Sequence, residues 1–574
     1  MTYIRLLSNA RSRGGRLASG ITPAASGALL AILLAAQSAS AQTFTTLDRF
    51  GGTNGNLPNT PLIQATNGHL YGTTLFGGAN EDGVAYDITT AGRLATVANL
   101  DAPIAFSVYA GLIQGSDGNF YGTGQGGAYA EGTVVKLTSS GTLTTLYSFC
   151  AQTGCPDGSI PAAGLVQASD GNFYGTTAFG GAGNNGTVFK ITPAGALTTL
   201  YSFCSLSACT DGSVPTTPLI QGNDGYLYGT TQTGGANGNY GTVFKIAYDG
   251  SFTTLYSFCS QAACADGQYA LGGLVQAVDG NLYGVTFEGG SGGKGTLFQL
   301  TLGGAYTLLH TFCLQTNCTD GAEGGTPTGL IQGTDGNLYG ATTSGGANGD
   351  GTLFSITTSG AFTTLYSFCP LSNCPDGNSP SSSLLQATNG TFYGTAVYGG
   401  TNNLGTIFSL STGLGPFVSL QTTAGPAGAS VTILGTSLSR PTSVTFNGTS
   451  ATFTFVSSSE IVARVPTGAT TGPVQVVMPT GTLNSNAAFI VQGKAGEPSF
   501  APRPGSYARA QSVKISDTAA GAVIYYTTDG TTPTTASAQY AGPIPVVASE
   551  TIKAVAIAPG FALSAVKSGA YTIR

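Results

Sequence analysis

The sequence predicts an all-β chain: a seven-bladed β-propeller whose N-terminal strand closes the last blade, followed by two smaller β-sandwich domains. Three observations carry this. A unit of roughly 54 residues recurs seven times on a Tyr-Gly pair, at Tyr71, Tyr121, Tyr174, Tyr228, Tyr283, Tyr339 and Tyr393. With 88 Gly, 26 Tyr and 28 Phe in 574 residues and only 8% charged, the composition suits short strands joined by tight turns. From Pro416 the repeat stops, and strands of a different pattern take over.

The first 41 residues stand apart. Arg5, Arg11, Arg13 and Arg16 precede the apolar run Ala28 to Ala36, and Ala39-Ser40-Ala41 precedes Gln42, the pattern of a cleaved secretory signal. The run is too short to cross a ~30 Å hydrocarbon core, so no membrane insertion of the mature chain is expected. Cleavage removes four Arg and no acid from a chain of 19 Lys+Arg and 25 Asp+Glu, taking the net charge from −6 to −10. Such a surface opposes nucleic acid and anionic membranes.

Within the unit Ala163 to Phe203, four β-type runs appear: GLVQ, FYGTT, TVFKI and LTTLYSF. Asp170-Gly171 and Gly195 mark the hairpin turns, and the Gly-rich FGGAGNNG joins the middle pair. Four antiparallel strands per unit is the content of a propeller blade, whereas a β-helix would use shorter coils. The last-strand motif recurs at Leu143, Leu197, Phe252, Tyr306 and Phe362, weakly at Arg93, and is missing after the seventh unit. Phe44 to Phe50, FTTLDRF, carries it ahead of the first blade, so this strand is expected to complete blade seven and remove an open edge.

All ten cysteines fall in C-x4-C pairs after the last strand of a unit: Cys150 and Cys155, Cys204 and Cys209, Cys259 and Cys264, Cys313 and Cys318, Cys369 and Cys374. In a secreted chain this spacing reads as five disulfide clips. Zinc would need two pairs to converge, which equivalent loops of different blades do not do.

Asp117, Asp170, Asp224, Asp279 and Asp335 occupy the Asp-Gly turns, with Asn67 and Asn389 in the outer units; Asp157, Asp211, Asp266, Asp320 and Asp376 follow the cysteines. Rings of such carboxylates offer oxygen ligands that suit Ca2+, but Asp and Asn before Gly are turn formers, so no cofactor or metal is expected. His69 stands where Asn119 stands and His310 where Tyr147 stands, neither with a nucleophile partner, so no catalytic residue is assigned. Glu81, Asp82, Glu131, Glu288, Glu323 and Asp350 break the repeat and keep open an alternative: a carbohydrate-active enzyme, hydrolase or lyase, with its site at the propeller mouth. Phe76, Phe179, Phe287 and Tyr398 flank the Gly-Gly connector and are candidate ligand contacts by stacking on sugar rings, against a preferred reading as blade-to-blade packing.

Residues 416–492, with Gly425 to Gly435 and Val465-Pro466 before Thr471-Gly472, resemble the immunoglobulin-like IPT/TIG domain. Gly493 to Pro498 reads as a linker. Residues 499–574 resemble the small Ig-like sandwich appended to chitobiases and β-hexosaminidases, most closely at Ile524 to Thr534; in that family it is accessory, and no catalytic residue transfers. The repeats, on their GLIQ, DGNLYGTT, GG and GTVFKI blocks, resemble the GloVer tandem repeats of secreted bacterial proteins, which implies export and envelope association but no reaction. The expected division is a signal peptide (1–41), a propeller (42–415), an IPT/TIG domain (416–492), a linker and a terminal sandwich. The expected function is a secreted or cell-surface, non-enzymatic binding or structural protein, monomeric, with extracellular polysaccharide or envelope components as partners.

Overall fold

In the computed structural model, which describes residues 42–101, 110–322 and 329–574, strands follow the repeat unit by unit. The segment read as a signal peptide and Glu323 lie outside the described residues. In the third unit Val166–Gln167, Phe173–Thr177, Thr187–Ile191 and Leu197–Ser202 form one antiparallel sheet in chain order. Gly171 at φ +82° turns the first strand into the second, a left-handed conformation open to glycine. The two middle strands are buried along their whole length, so their sequences read as unbroken apolar and threonine runs. That burial leaves little room, and a Cβ on Gly175 would sit 2.6 Å from Cζ of Phe189. The fourth strand bulges by one residue opposite Val188 and Phe189, which adds twist, and the other six sheets carry the corresponding irregularity.

Seven such four-stranded sheets follow one another. Each shares a core with the next: Tyr71 packs on Phe120 at 4.4 Å, Tyr121 on Phe173 at 4.2 Å and Tyr339 on Phe392 at 4.2 Å. The seventh sheet takes its fourth strand from the other end of the chain. Thr43–Arg49 pairs antiparallel with Thr406–Ser411, and Phe44 stacks on Tyr366 of the sixth sheet at 3.9 Å. Phe50, Leu62, Leu70 and Tyr86 then share a core with Tyr393 and Ile407, so the succession of cores returns to the first sheet.

A glutamine at the end of each first strand ties the sheets in the same cycle. Oε1 of Gln114, Gln167, Gln221, Gln276, Gln332, Gln386 and Gln64 accepts the backbone N–H of Thr66, Ser116, Ser169, Asn223, Val278, Thr334 and Thr388, respectively, at 2.8–3.0 Å. Each donor lies in the turn of the preceding sheet, the last pair joining the seventh to the first. Each Nε2 also donates to the glycine carbonyl of its own turn, as Gln276 does to Gly280 at 2.9 Å. One neutral side chain thereby satisfies two backbone groups that would otherwise be left without a protein partner.

Two immunoglobulin-like sandwiches follow. The first packs Val431, Ile433, Val444, Phe446, Ile461, Val476 and Phe489 between a four-stranded and a five-stranded sheet. The second encloses Phe500, Val513, Ile515, Ile552 and Tyr571. Residues 493–498 between them are anchored: Ala495 is buried and its N–H donates to Ala562 O at 2.8 Å. Among the described residues the helical elements are 3-10 turns such as Ser207–Cys209, and no helix is long and apolar enough to cross a membrane.

Candidate functional site

Antiparallel order puts the turns between first and second strands at one end of every sheet, and the Gly-rich connectors and disulfide loops at the other. The two ends are built differently.

At the turn end each Asp is committed to its own turn. Asp117 accepts from Asn119 N–H at 3.1 Å, Tyr121 Oη at 2.8 Å and Lys136 Nζ at 3.1 Å. Partial burial opposes its charge, but these hydrogen bonds outweigh it and hold the carboxyl down at about 2. Asp170, Asp224, Asp279 and Asp335 likewise accept from Tyr174, Tyr228, Tyr283 and Tyr339. In the outer units Asn67 and Asn389 donate to Tyr71 and Tyr393 instead, each at 2.8 Å.

The sandwiches sit on this end. Phe417 N–H donates to Thr388 O at 3.0 Å, Gln421 Nε2 to Gln114 Oε1 at 3.1 Å and Ser459 Oγ to Thr66 O at 2.6 Å. The terminal sandwich covers the third and fourth turns: Thr535 Oγ1 donates to Asp170 O at 3.3 Å, and buried Lys190 donates to Tyr525 Oη at 3.0 Å. Burial lowers the Lys190 pKa more than Asp170 raises it.

At the connector end, the five C-x4-C pairs are closed as disulfides with Cα separations of 4.0–4.2 Å. Behind each sits the second Asp series. Asp211 accepts from Tyr201 Oη at 2.8 Å and Ser205 N–H at 2.9 Å, and Asp157 from Tyr147 Oη at 2.8 Å and Cys150 N–H at 3.0 Å. Burial first, then the neighbouring carboxylate, pushes Tyr147 and Tyr201 up to about 12. His310 fills the tyrosine position in its unit: Nε2 lies 3.2 Å from Asp320, and its ring stacks on Phe362 at 4.1 Å as Tyr201 does on Phe252. Burial lowers its pKa more than Asp320 raises it. His69 pairs with Asp87 at 2.7 Å.

The four aromatic candidates separate. Phe76, Phe179 and Tyr398 hold one equivalent connector position, bridged to Asn56, Ser159 and Asn378, and are 40–44% exposed. Phe287 sits one residue earlier and is half-buried; Glu288 takes the equivalent position and accepts from Gln268 Nε2 at 2.9 Å. Leu206, Leu314 and Leu371, on the tips of three disulfide loops, are 55–65% exposed and add apolar surface that the search for chemical motifs passes over. The acids outside the repeat pattern belong to different units: Glu81 and Asp82 to the first, Glu131 to the second, Glu288 to the fifth and Asp350 to the sixth. Among the described residues, the one cluster of metal-type donors is Asp350 with Cys369 and Cys374, whose sulfurs are bonded to each other and so offer no thiolate.

Family models match the two C-terminal segments. The IPT/TIG domain matches residues 416–491, and the chitobiase/β-hexosaminidase C-terminal domain matches 502–568. No curated protein matches the chain. Similar solved structures include the extracellular domain of a hybrid two-component system from B. thetaiotaomicron, 13% identical, covering 93% of this chain and 59% of that one at a TM-score of 0.41. A fungal alcohol oxidase of the AA5 family, solved with copper, is 14% identical over 78% of this chain and 98% of its own, at 0.43. An auxiliary nutrient binding protein from Bacteroides thetaiotaomicron is 13% identical over 64% and 71%, at 0.34. None of these bears on activity. The seven sheets are another matter, because the Gloeobacter/Verrucomicrobia repeat matches residues 33–167, 125–322 and 314–439, most of the chain's length. The chain belongs to the Gloeobacter/Verrucomicrobia repeat family.

Proposed function

We propose that the seven sheets are the blades of one closed β-propeller, and that the protein is a secreted, non-enzymatic binding protein of the bacterial cell surface that recognises extracellular polysaccharide or other envelope components through its connector end. The observation that carries this reading is the repeated display of an exposed aromatic ring, Phe76, Phe179 and Tyr398, at one equivalent position, the last two beside the clips Cys150–Cys155 and Cys369–Cys374. Rings held this way stack on sugar faces with little entropy to lose. Stacking needs no metal or cofactor, and the reading requires no second copy of the chain. The glutamine cycle and the returning succession of cores support closure. The test is a glycan array, extended with peptidoglycan fragments, probed with the mature chain and with a Phe76→Ala/Phe179→Ala/Tyr398→Ala variant. Binding of at least one array glycan, lost in the variant at unchanged melting temperature, is expected; no binding by the parent, or equal binding of every glycan by both, overturns the reading.

A further inference from the structure

The seven turns are not covered equally. Turns one, two, three, four and seven touch the sandwiches through Thr66, Gln114, Asp170, Gly225 and Thr388. Turns five and six instead border two adjoining cavities of about 710 and 530 Å3, with the first sandwich as the facing wall. These volumes lie within the roughly 300–1,000 Å3 of small-ligand sites.

The cavities coincide with a break in the repeat. The residue after the first strand's glutamine and small residue is Thr66, Ser116, Ser169, Asn223, Thr334 or Thr388 in six units, and Val278 in the fifth. Val278 lines both cavities and, at 75% exposure, is the most exposed large apolar side chain of the described residues. Around it the walls mix apolar side chains, among them Leu330, Phe417 and Ile490, with amides and hydroxyls, Asn223, Gln276 and Gln332 on the sheets and Thr423 and Asn486 on the sandwich, and neither lining holds a charged side chain. The structural duties of Gln276 and Gln332 use one lone pair and one N–H each, half of what a carboxamide offers.

We infer that this cleft is a binding site for a neutral oligosaccharide. Carboxamides and hydroxyls from two rigid walls match a ligand dense in uncharged donors and acceptors, and Val278 supplies the apolar contact for the C–H face of a sugar ring. An ionic ligand finds no counter-charge here, and its desolvation would go uncompensated. The site is independent of the aromatic rings, which lie at the other end of the five-residue second strands, roughly 15 Å away.

The test is titration calorimetry on the whole mature chain with β-1,4-, β-1,3- and α-1,4-linked glucose tetrasaccharides, and with tetragalacturonate as the charged control. Saturable binding of at least one neutral tetrasaccharide is expected, weakened at least tenfold in Val278→Arg and in Asn486→Arg, which approach the ligand from opposite walls. The Phe76→Ala/Phe179→Ala/Tyr398→Ala variant should bind within twofold of the parent, which separates this site from the connector end. The inference is overturned by no binding of any neutral tetrasaccharide, by tetragalacturonate binding as tightly, by both arginine variants binding within twofold of the parent, or by loss of binding in the triple aromatic variant.

Discussion

The turn end and the connector end of the same seven sheets use repetition in opposite ways. At the turn end, glutamine and its hydrogen bonds recur seven times, and a Tyr with an Asp or Asn partner recurs with them. At the connector end, a frame of Asp and disulfide with Tyr, or in one unit His310, recurs five times, but the position it displays changes from Phe179 to Thr233, Glu288, Ser344 and Tyr398, and the first unit carries Phe76 without the clip. Closing a cycle favours identical joints, because each mismatched joint leaves an N–H and a C=O without their protein partner. Recognition demands the reverse, since identical contacts cannot follow an uneven ligand. Residues that repeat therefore serve assembly, and the contacts proposed above lie where a repeated frame varies.

The sharpest way to break this contrast is to open the cycle. Deleting residues 43–50 strips the seventh sheet of its fourth strand and removes Phe50, 1% exposed, whose truncation alone is worth about 3–5 kcal/mol. A fall of well over 10 °C in melting temperature is expected by calorimetry, with aggregation through the exposed edge. An unchanged transition would mean that the sheets hold together without closure.

A single clip or joint comes next. Opening one clip with Cys204→Ser/Cys209→Ser should cost about 2 kcal/mol by the loop-entropy relation, without changing which turns the sandwiches touch. Gln332→Ala leaves Val278 N–H and Gly336 O without their protein partner and should cost about 0.5–1.5 kcal/mol in urea unfolding. An effect as small as that of a surface substitution would remove the glutamine cycle from the account of assembly.

Alkaline pH probes the connector frame. Tyr147 and Tyr201 stand above the ordinary value of 10.0 in the fold, so their contribution to stability is whole below pH 10 and is lost as the pH climbs through 12. Melting temperature should fall across that window, and less steeply in Tyr147→Phe/Tyr201→Phe. The smallest expected effect on stability is that of the triple aromatic variant, within about 0.5 kcal/mol per site of the parent, because the three rings are partly exposed and lie outside the buried cores.

How much of this is readable without coordinates depends on the range of the interaction. The turns, the four strands per unit and the disulfides are local, built within one repeat unit, as when Phe173 pairs with Ile191, and seven copies average out chance. The closing strand is a long-range pairing, yet it is legible because FTTLDRF repeats a motif missing at the other end. The glutamines are equally regular, but a lone Gln at a strand end has no chemistry of its own until the neighbouring turn is placed beside it.

The sequence by itself determined the number of sheets, the strand that completes the last of them and the pairing of the cysteines, since each is either local or marked by repetition. Only the tertiary structure decided which end of the sheets carries the sandwiches, which turns they leave open, and that Phe179 faces solvent while Phe287, a single position out of step, is half-buried. The reason is physical. Adjacent residues of extended chain point to opposite sides, so a shift of one position changes what a side chain meets, and docking between domains depends on surfaces that no repeat records.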